Sequence, residues 1–164
     1  MTVRRLRADE TALFRALRLR ALADAPDAFA HTHAEISAKP DEYWQELTRS
    51  VTGPDRHAMF VAEVDGTAIG MAFGLLDREQ TARAHLGGMW VAPEARQQGC
   101  GRALFDAVVA WARERGFTGL ALCVTEGNKA AITLYERLGF TPTGRRDRLP
   151  HGLGLAILEM ERSL

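Results

Sequence analysis

Val91-Ala92-Pro93-Glu94-Ala95-Arg96-Gln97-Gln98-Gly99-Cys100-Gly101-Arg102 decides how the rest of the chain is read. An apolar strand ends, Pro93 breaks it, and a glycine-containing turn opens an amphipathic helix from Gly99 to Arg115, with Leu104, Val108, Trp111 and Ala112 on one face. Free N–H groups and the positive end of the dipole make such a helix start an anion site. Gly99 and Gly101 let oxygens approach the backbone where a Cβ would obstruct them, and Arg96 and Arg102 add charge. The stretch lacks Gly-x4-Gly-Lys-Ser/Thr and the first glycine of the dinucleotide fingerprint, so it matches neither of those phosphate loops.

Working upstream, Thr2–Arg7 reads as a short edge strand and Asp9 as the cap of a helix running to about Ala23. A less regular stretch lies between Pro26 and Pro40, and a second helix spans Asp41–Thr52. The strands His57–Val64 and Thr67–Leu76 are joined at Asp65-Gly66, a strong hairpin signal. A third strand, Arg83–Val91, contains Gly87-Gly88, a pair that marks a bulge or a close approach to the backbone. Downstream come a buried strand Leu120–Val124, a helix Asn128–Leu138 stopped by Gly139, and strands at about Phe140–Arg146 and Leu153–Glu161 around a loop holding Pro150 and Gly152. The order is β-α-α-β-β-β-α-β-α-β-β. It is an α/β mixture in which an antiparallel meander feeds a strand–helix–strand unit with parallel strands.

Composition narrows the class. The chain has 164 residues, 21 Lys+Arg against 21 Asp+Glu, and 46% hydrophobic residues. That length fits one domain, residues 1–164, at roughly 150 residues per domain. Zero formal charge argues against nucleic acid or an anionic membrane as partner. There is no run of about 18 apolar residues, and the N-terminus lacks the apolar stretch of a signal peptide. Cys100 and Cys123 are too few for a disulfide framework and lack metal-ligand spacing, so a reduced, cytoplasmic protein without a metal is expected.

Arg96-Gln97-Gln98-Gly99-Cys100-Gly101 resembles the Arg/Gln-x-x-Gly-x-Gly/Ala motif of the GCN5-related N-acetyltransferases. Asn128-Lys129-Ala130-Ala131-Ile132-Thr133-Leu134-Tyr135-Glu136-Arg137-Leu138-Gly139-Phe140 resembles that family's Asn-x-x-Ala-x-x-x-Tyr-Glu-x-x-Gly-Phe segment. The two motifs stand in the family's order, and the likeness runs from about residue 57 to the C-terminus. It implies a mixed, mostly antiparallel sheet with helices on both faces. It also implies acetyl-CoA as donor and a primary amine of a small molecule or peptide as acceptor. Dimers are common in the family, so a homodimer is an open expectation. A silent acyl-CoA sensor and an unrelated phosphate- or nucleotide-binding module stand as the rival readings.

The resemblance also assigns residues. The loop, including Arg96, Gln97, Gln98, Gly99, Cys100, Gly101 and Arg102, would hold the pyrophosphate. Backbone groups of Met89, Trp90 and Val91 would pair with the pantetheine arm where two parallel strands splay. Asn128 would bond the pantetheine side, a role compatible with capping its own helix. The Tyr135 hydroxyl would protonate the departing thiolate. Where some relatives carry a glutamate four residues before the first backbone contact, this chain has His85, whose ordinary pKa near 6.5 suits proton removal from an amine. Ribosomal-protein N-terminal acetyltransferases carry a glutamate five residues before the motif asparagine. Here that position is Cys123, read as a small core residue. Phe29, Tyr43 and Trp44 are read as core or acceptor-pocket residues, Arg145-Arg146-x-Arg148 as a solvated turn, and His31-x-His33 as lacking a third metal ligand.

Overall fold

Alternating apolar residues bounded by turn formers build the first half of the sheet. β1 (Thr2–Arg5) pairs antiparallel with β2 (Ala58–Val64), which pairs with β3 (Thr67–Leu76). Asp65 and Gly66 both take positive φ, 50° and 78°, which is the type I′ geometry expected of an Asp-Gly hairpin. β4 (Arg83–Val91) follows antiparallel, and its register with β3 slips at the Gly87-Gly88 pair, where Gly88 has φ 52°. The sequence therefore marked a true bulge. The computed structural model describes residues 1–54, 57–77, 81–150 and 154–164. Gly152 and Leu153, read as part of a loop and the start of the last strand, lie outside them.

The chain then crosses over. α4 (Cys100–Glu114) connects β4 to β5 (Gly119–Thr125), and these two strands run parallel. α5 (Lys129–Arg137) leads into β6 (Thr141–Arg148) and β7 (Ala156–Ser163), with β7 inserted between β5 and β6. The seven-stranded order is β1-β2-β3-β4-β5-β7-β6, with one parallel pair in an otherwise antiparallel sheet. Gly116 (φ 78°) and Gly139 (φ 87°) end α4 and α5 as read.

Helices cover both faces. A Cβ on Gly74 would stand 2.4 Å from the Trp111 ring of α4, whereas the adjacent Phe73 packs on Phe14 of α1 (Thr11–Asp24), ring centroids 5.7 Å apart. Successive strand residues point to opposite faces, so α4 and α1 lie on opposite sides of β3. α3 (Asp41–Thr52) joins the α1 side through Trp44, edge-on to Phe14 at 5.9 Å.

Three local readings change. Asp9 does not cap α1: the helix begins at Thr11, and Glu10 stands at the cap with no side-chain cap bond. The Glu10 carboxylate instead accepts the Arg7 amide and both Arg4 Nη groups, each at 2.8 Å, which fastens the helix start to β1. The irregular stretch after Pro26 contains a short helix, α2 (His33–Ser37), held by a capping box in which Thr32 and Glu35 satisfy each other's amides. Arg145, Arg146 and Arg148 stand in β6 and not in a turn, because Gly144 (φ 89°) bulges the edge strand and lets pairing resume at Arg146.

Candidate functional site

β4 and β5 pair only through Arg83–Gly119, Ala84–Leu120 and His85–Ala121. Beyond His85 the strands separate, although β4 runs on to Val91 and β5 to Thr125. The gap opens into a cavity of about 680 Å³ whose wall includes Leu86, Gly87, Gly88 and Met89 from β4 and Cys123, Val124 and Thr125 from β5. The separation leaves strand backbone without a neighbouring strand. Ala92 donates to Ile69 at 2.8 Å, so the alternation of antiparallel pairs assigns the polar groups of Trp90 to Met71 and turns those of Val91 toward the gap. Trp90, expected to offer backbone groups there, faces β3 with them. Met89 shares the parity of Val91: both side chains lie beside Gly101, 4.0 and 3.8 Å from the position its Cβ would take.

The glycine turn has the geometry of an open helix start. Gly99 is the N-cap of α4 with φ 80° and supplies no side-chain acceptor, and Gln97 before it also takes positive φ, 62°. The first bond closing the helix is Ala103 N–H to the Gly99 carbonyl, 3.0 Å, so the first-turn amides remain available. Cys100 is buried at 1% exposure and has only backbone to offer. The two arginines are not free charges, contrary to their expected role. Arg96 Nε donates to the Val91 carbonyl at 3.0 Å and its Nη2 contacts Asp24, which also accepts the Trp90 indole N–H at 2.8 Å. Arg102 is held by Asp106 one turn along, at 2.9 Å. Gln98 donates to the Glu94 carbonyl at 2.9 Å.

Across the gap, Asn128 caps α5 by accepting the Ala131 amide at 3.1 Å, and it also lines the cavity. Two turns on, the Tyr135 ring is buried and packs edge-on to Phe140 at 5.9 Å, while the residue reaches the same cavity. Among the described residues its hydroxyl has no hydrogen-bond partner, and burial pushes its pKa up to about 12. His85 stands at the fork, at the last β4–β5 pair, and faces the cavity half-buried. Burial pushes its imidazole below the ordinary value, with Asp77 and Glu159 opposing and Arg83 assisting. Cys123 corrects its reading as a core residue: it is exposed and opens onto the cavity, because β5 loses β4 as a neighbour from Leu122 onward. Its thiol is pushed up by burial and by Glu159.

Phe29 and Tyr43 line the cavity, whereas Trp44 is core. Arg18 of α1 was not singled out from sequence, yet it lines the cavity with its guanidinium 4.7 Å from the centroid of the Phe29 ring. The signal was present: Phe14, Arg18 and Leu22 repeat at four residues, which places a cation on the apolar face of a helix. Among the described residues no group of three or more His, Cys, Asp or Glu could hold a metal ion, and no helix is long and apolar enough to cross a membrane.

A splayed parallel pair beside an open glycine turn has counterparts among known proteins. The model of the acetyltransferase (GNAT) family matches residues 19–140. The chain therefore belongs to that family. It is 36% identical over 130 residues to a mycothiol acetyltransferase of Thermobispora bispora, covering 77% of this chain and 41% of that protein. It is also 36% identical over 107 residues to a probable N-acetyltransferase family 8 member 5 of Mus musculus, covering 61% and 45%. The chain thus spans less than half the length of these curated relatives. Its fold superimposes on a GNAT-family acetyltransferase from Streptococcus pneumoniae with TM-score 0.83 at 18% identity, each chain covered to 99%. A GCN5-related N-acetyltransferase from Kribbella flavida aligns with TM-score 0.78 at 25% identity, over 99% of this chain and 97% of that one.

Proposed function

We propose that residues 1–164 form one acetyltransferase domain, working in the cytoplasm, that moves an acetyl group from acetyl-CoA to the primary amine of a small molecule or peptide by direct attack. The observation that carries this reading is the loss of β4–β5 pairing beyond His85 and Ala121. It leaves a slot edged by backbone donors and acceptors, which fits a narrow arm built from amides, and an open helix start stands at the same end of β4. The donor supplies an activated acyl group as its thioester.

The chain's own residues would do the rest. Met89 and Val91 line the slot with backbone groups, while Asn128 keeps amide hydrogens for the arm after its Oδ1 has capped α5. The amides at Gly99, Cys100, Gly101 and Arg102, flanked by Gln97 and Gln98, receive the pyrophosphate. Arg96, anchored to Val91 and Asp24, holds the loop to the strand. His85, favoured in its neutral form, takes the proton that the amine sheds, directly or through water. Tyr135, favoured in its protonated form, gives its proton to the departing thiolate as the carbon–sulfur bond breaks. Holding amine and thioester together supplies much of the acceleration.

The test is calorimetric titration with acetyl-CoA followed by a primary-amine screen, read as free thiol and as acetylated product by mass spectrometry. Binding with product formation supports the assignment. Binding without turnover of any amine makes the chain a sensor, and displacement of CoA by ATP at comparable concentration makes it a nucleotide-binding module.

A further inference from the structure

The cavity is electrically one-sided. Arg18 is its permanent charge, and none of its described lining residues is Asp or Glu. The other titratable groups there are His31, His57, His85, Tyr43, Tyr135 and Cys123, none of them a carboxylate. Every other arginine described in the candidate site is engaged: Arg96 by Asp24, Arg102 by Asp106. Arg18 has no carboxylate and no hydrogen-bond acceptor among the described residues, and its neighbour is the face of Phe29. Burial lowers its pKa, opposed by Tyr43 and by no carboxylate. A guanidinium withdrawn from water without an anion is costly, whereas one waiting for a ligand anion recovers that cost on binding.

Its position fixes what it faces. Arg18 Nη1 lies 3.4 Å from where a Cβ of Gly88 would be, so the guanidinium rests against the β4 bulge. The bulge adjoins Met89, which lines the slot that opens between the strands beyond His85. Beside the guanidinium stand the rings of Phe29 and Phe73, with Tyr43 the polar residue it senses. A planar fork beside an aromatic face, in an apolar chamber, matches a carboxylate on a small apolar body.

We infer that Arg18 is a specificity residue that binds the carboxylate of the acceptor, so that the acceptor is an apolar amino acid or a close analogue with amine and carboxylate a few bonds apart. This rests on the acetyl-transfer reading above and narrows it. The guanidinium takes the carboxylate through two parallel N–H···O bonds, the apolar body fills the chamber, and the amine faces the slot. The same field disfavours acceptors carrying a second cation, because no carboxylate among the described lining residues would receive it.

The experiment separates this inference from the reading it rests on by using product analogues, whose binding needs no turnover. N-acetyl-L-leucine and N-acetyl-L-leucinamide differ in the carboxylate and contain no ionisable amine. Calorimetric titration of wild type is expected to show the acid binding at least tenfold tighter than the amide. In Arg18→Met, which keeps apolar bulk and removes an uncompensated charge, the preference is expected to vanish with the circular dichroism of the fold unchanged. Arg18→Lys is expected to restore part of it, since it returns charge without the fork. With acetyl-CoA present, kcat/KM for L-leucine is expected to fall at least tenfold in Arg18→Met, while that for L-leucinamide stays within about twofold. Equal binding of acid and amide to wild type, binding of neither, or a preference that survives Arg18→Met overturns the assignment. A preference lost in Arg18→Met in a protein that releases no thiol from acetyl-CoA supports the anion site and removes the transferase reading. Acetylation of amines without any carboxylate preference does the reverse.

Discussion

The Tyr135 hydroxyl stands at the cavity end of a ring held edge-on against Phe140. With its pKa raised to about 12, it keeps its proton across the working range of most enzymes and is a donor throughout. Tyr135→Phe removes one oxygen and leaves that packing in place. Acetyl-CoA affinity is expected to change by less than about twofold, while single-turnover transfer slows by roughly 10- to 1,000-fold, or about 1.4–4 kcal/mol of transition-state stabilisation. Rapid-quench kinetics beside calorimetry checks both, and an unchanged rate would leave Tyr135 as a packing residue. His85 is shifted the other way, toward its neutral form. The ascending limb of kcat/KM is therefore expected below the ordinary histidine pKa of about 6.5, and His85→Gln should flatten it and lower turnover about 100-fold. Stability carries the same sign. The unfolded chain binds this proton near pH 6.5 while the folded chain resists it, so His85 makes stability decline as pH falls from there toward its folded pKa. His85→Gln should remove that part of the decline, measured as Tm against pH.

At the scale of elements, the turn into α4 gives the sharpest test. A Cβ at Gly101 would meet nothing nearer than Val91 Cγ2 at 3.8 Å and Met89 Cε at 4.0 Å, so the fold has room for a larger residue. Gly101→Val is expected to leave Tm nearly unchanged and to weaken CoA binding at least tenfold, because its methyl groups crowd the first-turn amides. Calorimetry on the folded variant checks this, and unchanged affinity removes the pyrophosphate assignment. The same turn shows why elements were legible. Pro93 and Gly99 interrupt an apolar pattern whose period changes from two to three or four, and such punctuation survives in the sequence. α2 escaped because five residues show no period, although Thr32-x-x-Glu35 carried its capping box. β6 was found, but its end was read as a turn, because an exposed edge strand with Arg145, Arg146 and Arg148 has no apolar alternation to carry the strand on to Arg148. Asn128 and Tyr135 were legible as a motif and are brought to one cavity. The engagement of Arg96 was not legible, because Asp24 reaches it through tertiary contact, whereas the Arg102–Asp106 pair stands at the i,i+4 spacing of one helix and could have been read. Trp90 was misjudged because the direction of a backbone group depends on register, which a bulge resets.

Across the whole molecule, two blocks of sheet, β1–β4 and β5–β7–β6, meet at three residue pairs. Arg83 reinforces that seam. Its guanidinium, 7% exposed, meets Asp77 at 2.7 Å, Glu159 at 3.3 Å and Glu161 at 3.0 Å, and so spans from β4 past β5 to β7. Arg83→Met removes a buried cation and leaves the mostly covered Asp77 and Glu159 without it, and is expected to cost about 3–5 kcal/mol. For a chain of this size that corresponds to a fall in Tm of roughly 6–20 °C, which thermal denaturation checks.

The splay also determines what kind of molecule the sheet is able to recruit. Strands with vacant pairing groups ordinarily attract other polypeptides, and that is how sheets aggregate. The two outer borders are poorly suited to it. β1 is four residues long and carries Arg4 and Arg5, while β6 carries Pro142, a bulge and three arginines. The vacancy that remains lies inside the sheet, opening into a cavity that residues of α1, α3 and α5 also line. The opening left to pairing is thus an internal one, which suits a thin guest with peptide-like groups better than the edge of a neighbouring protein.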